Sequence, residues 1–509
     1  MAQQKPRLAK PTLDKDLEKL SSVEDAARHT SRGLAGPGAA LVFIILAAIF
    51  ASSYVTGAPG SVIVIAAAAL AGYMAMNIGA NDVTNNIGAA VGARAMTMGF
   101  GLALAAVFEV AGAVLAGGSV AHTIASGITN GALVSSPNML IWAMMAALLA
   151  AAVLINIATW VGAPISTTHS IVGAVMGAGI AAAGFGAVDW GMVAGITASW
   201  VVSPLLGAVI AAAFLLLVKE TIIYREDKIA AAKTWVPVLI GIMSGAFSGY
   251  LALIGLGQMM TVSALTATAI AIVIGLFSWR ALIPVIAAQA QGLENRNQSL
   301  RKLFRIPLIL SAALMSFAHG ANDVSNAIGP LAAIVSAVQD MATDSALHVP
   351  GVPLWELVIG GLGISLGLLL YGPKLVRLVG AEITKLNPMR AYCVSLSTAL
   401  TVLVASWAGM PVSSTHIAVG AVFGVGLFRE WYTRNSKRRY EYMRVRAGKV
   451  SAGEPEENET FERNDDEVKR RYLVRRSHML SILAAWMITL PAAAGLAAII
   501  ATVMFSLFL

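Results

Sequence analysis

An aspartate flanked by asparagines occurs twice in this chain, in Gly79-Ala80-Asn81-Asp82-Val83-Thr84-Asn85 and in Gly320-Ala321-Asn322-Asp323-Val324-Ser325-Asn326. Each copy closes a long apolar run, where a carboxylate and two carboxamides are costly to bury. Asp82 and Asn85 are three residues apart, as are Asp323 and Asn326, so each pair shares one helical face. Hard oxygen ligands of this kind suit a small cation such as Na+, whereas a titratable aspartate offers H+ carriage instead. Asn81 and Asn322 read either as further ligands or as hydrogen-bonding glue between helices. The glycine and alanine ahead of each acid permit close backbone approach or a break in the helix.

A second motif is also duplicated. Pro164-Ile165-Ser166-Thr167-Thr168-His169 recurs 247 residues on as Pro411-Val412-Ser413-Ser414-Thr415-His416. A proline followed by three hydroxyl residues and an apolar run reads as a helix N-terminus. Free N–H groups and the positive end of the helix dipole attract anions there, and the hydroxyls add neutral donors. Ser or Thr at such a position is otherwise an ordinary cap. Two such termini meeting from opposite sides would hold a tetrahedral oxyanion without a buried arginine. Glu109 and Glu356, also 247 apart, read as a matched pair of cation ligands, proton carriers or partners of the hydroxyl helices. His169 and His416 either orient a substrate, titrate near neutral pH, or pack. His122 and His319 have no repeat partner and rank below them, and Arg94 reads as a topology anchor.

These residues must be positioned by membrane-spanning helices. The chain has 509 residues, 57% hydrophobic and only 12% charged, against about 25% charged in ordinary soluble domains. Apolar runs near 20 residues, long enough to cross a hydrocarbon core of roughly 30 Å, recur at 39–54, 139–159, 192–218, 236–256, 354–371 and 479–509. The reading is an all-α polytopic membrane protein. The net charge of +8 is gathered in segments 1–36, 219–233, 280–305, 374–390 and 429–476, which the positive-inside rule places in the cytoplasm. Loops 117–137 and 339–353 lack that basic character and are placed outside. Threading the spans gives roughly thirteen crossings, N-terminus in. No cleavable signal is expected, and residues 13–27 could form an amphipathic helix on the membrane surface.

The two copies run in opposite directions by this charge bias, so they are predicted to be inverted-topology repeats with broken or re-entrant helices, the architecture of secondary transporters. The offset between copies grows from 241 to 247, which places six extra residues near 340–350 of the second copy. Residues 1–36 are read as a cytoplasmic tail, 37–58 as an extra transmembrane helix and 60–218 as the first repeat. A linker with two transmembrane helices follows at 219–304. The second repeat comprises 305–428 and 478–509, interrupted by a charged cytoplasmic insertion at 429–477.

The two motif pairs resemble the Pit-type inorganic phosphate transporter family, over residues 60–430 and the final helix. The marks are 77–86 with Gly88, 320–329, and the two Pro-Xaa-Ser-Xaa-Thr-His segments. The resemblance implies phosphate taken up with a cation, at a midplane site formed by both motifs. It assigns Asp82, Asn85, Asp323 and Asn326 to cation and phosphate binding, and Ser166, Thr167, Thr168, Ser413, Ser414 and Thr415 to a phosphate cradle. The full Gly-Ala-Asn-Asp-Val form is similar to the sodium-coupled members. The extra N-terminal span and the C-terminal position of the insertion depart from the family pattern.

The expected function is import of inorganic phosphate in symport with Na+, or H+, by alternating access in the cell inner (plasma) membrane. A sulfate or other oxyanion symporter of the same fold is the first alternative. A carboxylate that accepts the proton of hydrogen phosphate would repel fully ionised sulfate, which favours phosphate. An anion channel or receptor is the alternative of another class. No Walker A sequence, zinc-ligand spacing or nucleophile elbow appears, so no enzyme, pump or cofactor is expected. Nucleic acid is not an expected partner, the single cysteine, Cys393, offers no redox pair, and a homodimer is left open.

Overall fold

The computed structural model describes residues 34–57, 60–129, 137–161, 165–255, 262–343, 351–382, 386–446 and 476–509. The predicted surface helix at 13–27, Pro164, residues 344–350 of loop 339–353 and most of the charged insertion lie outside these residues. Among the described residues the chain is helical throughout, and its only β feature is an isolated bridge between Thr129 and Val188. Helix α1 (Leu34–Val55) precedes α2 (Ser61–Gly92), α3 (Met98–Ala116) and the short α4 (Gly118–His122). Next come α5 (Pro137–Val161), α6 (Thr167–Ala183) and α7 (Trp190–Val218). A hairpin of α8 (Lys228–Ile254) and α9 (Ala264–Gln289) leads to α10 (Asn297–Leu303), α11 (Arg305–Asp323) and α12 (Ser325–Thr343). Helices α13 (Leu354–Glu382), α14 (Pro388–Trp407), α15 (Ser414–Asn435), α16 (Lys437–Arg446) and α17 (Arg476–Phe508) complete the order.

Ten of these helices are long and apolar enough to cross a bilayer, or eleven when the bent pair α10 and 305–341 counts as one span. The sequence expectation of thirteen crossings is therefore too high for the described residues. Helix α6 shows why: its apolar run is real, but the helix begins at the hydroxyl motif and has only 17 residues, about 25 Å at 1.5 Å per residue. It starts inside the protein, not at a membrane surface. Helix α9 is the opposite case, with almost its whole length exposed and Leu265, Val273 and Phe277 facing outward, as a lipid-facing helix requires. It is held to α8 by the close approach of Gly241, Gly245 and Gly275, the small-residue packing that stands in for hydrophobic force within lipid.

Packing is reciprocal between the halves. Helix α2 packs on α13 and α11 on α3; α6 packs on α17 and α15 on α7; α5 touches α6 and α17 as α14 touches α15 and α7. The tightest contacts carry the same correspondence. A Cβ at Gly79 would lie 1.9 Å from the Ile364 carbonyl oxygen, and one at Gly320 would lie 2.2 Å from that of Glu109. The motif glycines therefore serve close backbone approach. They do not break the helix: α2 runs through Asp82 and relaxes only into a π-turn at Thr84–Gly88.

This correspondence corrects the pairing of the two glutamates. Gly79 and Gly320 are 241 apart, yet the residues facing them, Ile364 and Glu109, are 255 apart. Gly112 against the Phe317 carbonyl and Gly367 against the Met76 carbonyl repeat the 255 offset. The counterpart of Glu109 is thus Ile364, and Glu356 falls opposite Gly101. The second half carries fourteen extra residues (255 − 241) before α13 and eight fewer (255 − 247) before the hydroxyl motif, not six near 340–350.

Candidate functional site

The two aspartates and the two hydroxyl motifs converge at the seam between these helix pairs. Asp82 and Asp323 are each 1% exposed. Asp82 Oδ1 accepts from Asn81 Nδ2 at 3.0 Å, Asn85 Nδ2 at 3.3 Å and Thr415 Oγ1 at 3.0 Å, and its Oδ2 lies 3.0 Å from Thr167 Oγ1. Asp323 Oδ2 lies 3.4 Å from both Ser414 Oγ and Thr167 Oγ1. The pairs Thr167–Asp82 and Ser414–Asp323 are repeat equivalents. So are Asn85 to Thr415 at 2.8 Å and Asn326 to Thr168 at 3.2 Å. Each half therefore bonds its carboxamide to the other half's hydroxyl helix.

Within each triplet the three hydroxyls divide their work. Ser166 caps α6 by accepting from the His169 N–H at 3.1 Å, and Ser413 caps α15 by accepting from that of His416 at 3.4 Å. The following residues, Thr167 and Thr168 or Ser414 and Thr415, sit in the first turn beside the carboxylates, where orphan N–H groups and the dipole favour an anion. The capping role weighed for Ser and Thr in the sequence thus belongs to one residue of each triplet.

Asn81 and Asn322 position those termini. Asn81 donates to the Ile165 carbonyl at 3.1 Å and accepts from Thr159. Asn322 donates to Ser406 and the Met410 carbonyl, and accepts from the Val412 N–H at 3.2 Å. Both amides tie the Asp helix to the loop before the hydroxyl helix and to the helix ahead of that loop. His169 and His416 meet edge to face at 4.4 Å between α6 and α15, and His169 also lies 3.8 Å from the Trp200 ring. They close the seam behind the hydroxyls.

His319, ranked low in the sequence, occupies the centre. Its Nδ1 is 2.8 Å from Glu109 Oε1, and its Nε2 is 3.1 Å from Asp323 Oδ2 and 3.7 Å from Asp82 Oδ2. Asn86 donates to the same Glu109 oxygen. A neutral imidazole donates at only one nitrogen, so carboxylates on both sides call for an imidazolium or a proton on one carboxyl. The repeat counterparts of His319, Glu109 and Asn86 are Ile78, Ile364 and Ala327, all buried and apolar. Duplication therefore does not mark His319 or Asn86. Another signal was present: His319 stands four residues before Asp323, one turn away on the same helical face.

Glu356, by contrast, is joined to none of these groups. It is buried in the first turn of α13, and among the described residues neither carboxylate oxygen has a hydrogen-bond partner. His122 lies in α4, apart from the carboxylates, within reach of Ser126.

Ligand atoms of Asp82, His319 and Asp323 lie within 4.8 Å of one another. Two carboxylates at that separation repel by roughly 3 to 4 kcal/mol at an effective dielectric of about 20, and Glu109 adds a third acid against one imidazole. The buried centre thus carries excess negative charge that a cation or proton must offset. Asp323 Oδ1 and Asn326 Oδ1 have no hydrogen-bond donor among the described residues, so hard oxygen atoms are free for a cation such as Na+.

The fold and this centre define a class: a multi-span helical membrane protein with acid, imidazole and hydroxyl groups buried between two interlocked structural repeats. The chain belongs to the phosphate transporter family, whose model matches residues 78–497. A Helicobacter pylori protein named "Putative phosphate permease" is 42% identical over 521 residues, covering 95% of this chain and 98% of that protein. The chloroplastic inorganic phosphate transporter 2-1 of Arabidopsis thaliana is 35% identical, covering 70% of this chain and 64% of that one. Among solved structures, that of a protein described as "The sodium-dependent phosphate transporter" superposes with a TM-score of 0.74 at 31% identity, over 88% of this chain and 100% of that chain.

Proposed function

We propose that this protein imports inorganic phosphate in symport with Na+, by alternating access between inverted repeats in the cell inner membrane, with its N-terminus in the cytoplasm. The observation that carries the coupling is electrostatic. The hydroxyl termini that suit an oxyanion lie within 3.4 Å of carboxylate oxygens, so an anion can enter only after cations have offset Asp82 and Asp323. Phosphate then takes the hydroxyls of Thr167, Thr168, Ser414 and Thr415 and the amides of Asn85 and Asn326. The sodium dependence by which the structural neighbour is described and the free oxygens of Asp323 and Asn326 favour Na+. A carboxylate that accepts the proton of hydrogen phosphate favours phosphate over sulfate.

A second reading is proton coupling, which the His319 cluster favours, because its carboxylates on either side need one additional proton to be satisfied. Labelled phosphate uptake into proteoliposomes separates the readings, with Na+ and H+ gradients imposed one at a time and sulfate as competitor. Uptake is expected to follow the Na+ gradient and to resist sulfate. Asp82→Asn and Asp323→Asn are each expected to abolish it while the protein still inserts; normal uptake by both variants would sink the assignment.

A further inference from the structure

Two adjoining cavities lie far from the buried centre and share Arg301, Asn387 and Arg390. One, of about 240 Å³, is lined by Lys219, Arg301, Arg390 and Arg429. The other, of about 480 Å³, adds Arg94, Lys302 and Arg305. No Asp or Glu lines either cavity. Glu220, next to Lys219 in sequence, is taken up by Arg438 at 2.9 Å and Tyr432 at 2.5 Å. Seven cations around joined concavities focus a positive potential that attracts anions.

Four of these residues are held in place. Asn387 Oδ1 accepts from Arg390 Nε at 3.1 Å, leaving Nη1 buried without a hydrogen-bond acceptor among the described residues. Arg305 Nε and Nη2 both donate to the Ala95 carbonyl at 3.2 Å. That clamp fixes the turn in which Arg94 takes a φ of 57°, the one non-glycine residue with positive φ among the described residues. A left-handed arginine backbone is disfavoured and persists where surrounding structure enforces it. Lys219 Nζ sits 4.0 Å from the centre of the Tyr432 ring. Sixteen residues of α14 separate Arg390 from Ser406, which bonds Asn322, so the cavities stand about 24 Å from that contact along the helix.

We propose that these cavities form a second anion site, distinct from the transport centre, for a diphosphate or phosphomonoester group. The same chemistry is offered by a soluble phosphorylated compound and by the headgroup of an anionic lipid, and basic pockets between membrane helices bind such headgroups. Basic residues from four segments assigned to the cytoplasm meet here, and none of the cations belongs to the acid and hydroxyl centre.

The test places the full chain in nanodiscs of zwitterionic lipid and reads pyrophosphate binding by calorimetry. Wild type and Asp82→Asn are expected to bind alike, and more weakly as salt rises. Arg301→Gln/Arg390→Gln is expected to bind about tenfold or more weakly, having lost two charge-assisted contacts. Should that variant fail to fold, Arg94→Gln/Lys302→Gln, at two exposed positions, is expected to weaken binding several-fold. Nanodiscs containing phosphatidic acid separate the sources: a lipid occupant removes the pyrophosphate response of wild type, and a soluble one leaves it. Equal affinity in wild type and the charge variants overturns the proposal, as does loss of binding in Asp82→Asn.

Discussion

His319 touches three acids from three different stretches of the chain, so its removal strands charge as well as a hydrogen bond. Breaking a buried pair by deleting one partner costs about 3–5 kcal/mol. His319→Gln is therefore expected to lower the thermal midpoint sharply, and Glu109→Gln/His319→Gln to recover part of that loss, which scanning calorimetry or fluorescence in detergent would read. Additive effects of the two changes would contradict this. Glu109→Gln is also expected to reduce phosphate uptake at least tenfold and Glu356→Gln to leave it within about twofold, because only Glu109 bonds to the central cluster. At this scale the aspartates, carboxamides and hydroxyls were legible from duplication. His319 and Asn86 were not, because their equivalents are Ile78 and Ala327. The glutamates looked paired because an insertion and a deletion happen to leave equal spacing to the hydroxyl motif, which no count along the chain can distinguish from homology.

At the scale of helices, two kinds of terminus and two kinds of contact do different work. Ser166→Ala removes a cap and is expected to cost about 1 kcal/mol of stability with a modest effect on phosphate affinity. Thr167→Val keeps the shape but loses a hydroxyl shared by both aspartates, and is expected to lower affinity at least tenfold with little change in thermal midpoint. Paired stability and uptake measurements would expose the reverse pattern if Thr167 were merely structural. Gly79→Ala and Gly320→Ala are expected to destabilise or misassemble the protein, since each Cβ would meet a carbonyl oxygen near 2 Å and backbone cannot yield as a side chain does. Most helices could be read from apolar length. The error in crossing number came from segments such as α6, whose hydropathy resembles a span although its first turn is buried at the site.

Taken whole, the molecule is two interlocked sets of helices closing on a seam. Accumulation of phosphate above its external concentration is expected only when a cation gradient is imposed across the vesicle; accumulation without one would mean another energy source. The difference between the two contact types also bears on the unloaded protein. Where helices meet backbone to backbone, at Gly79 against Ile364 and Gly320 against Glu109, no side chain can re-orient and each pair must travel as one body. Across the seam the contacts are hydroxyls and carboxamides on Asp82, Asp323, Thr168 and Thr415, which can trade protein partners for cargo one at a time. The fault line of the molecule thus runs through its candidate site, and in the proposed alternating-access cycle cargo acts on it as a lubricant. In that proposed cycle the empty protein is latched by these hydrogen bonds, and a cation arriving alone neutralises the acids without supplying an oxyanion for the hydroxyls. Loosening the latch with Thr415→Val is then expected to let Na+ cross without phosphate, read as labelled Na+ flux into phosphate-free proteoliposomes; flux equal to wild type would contradict it.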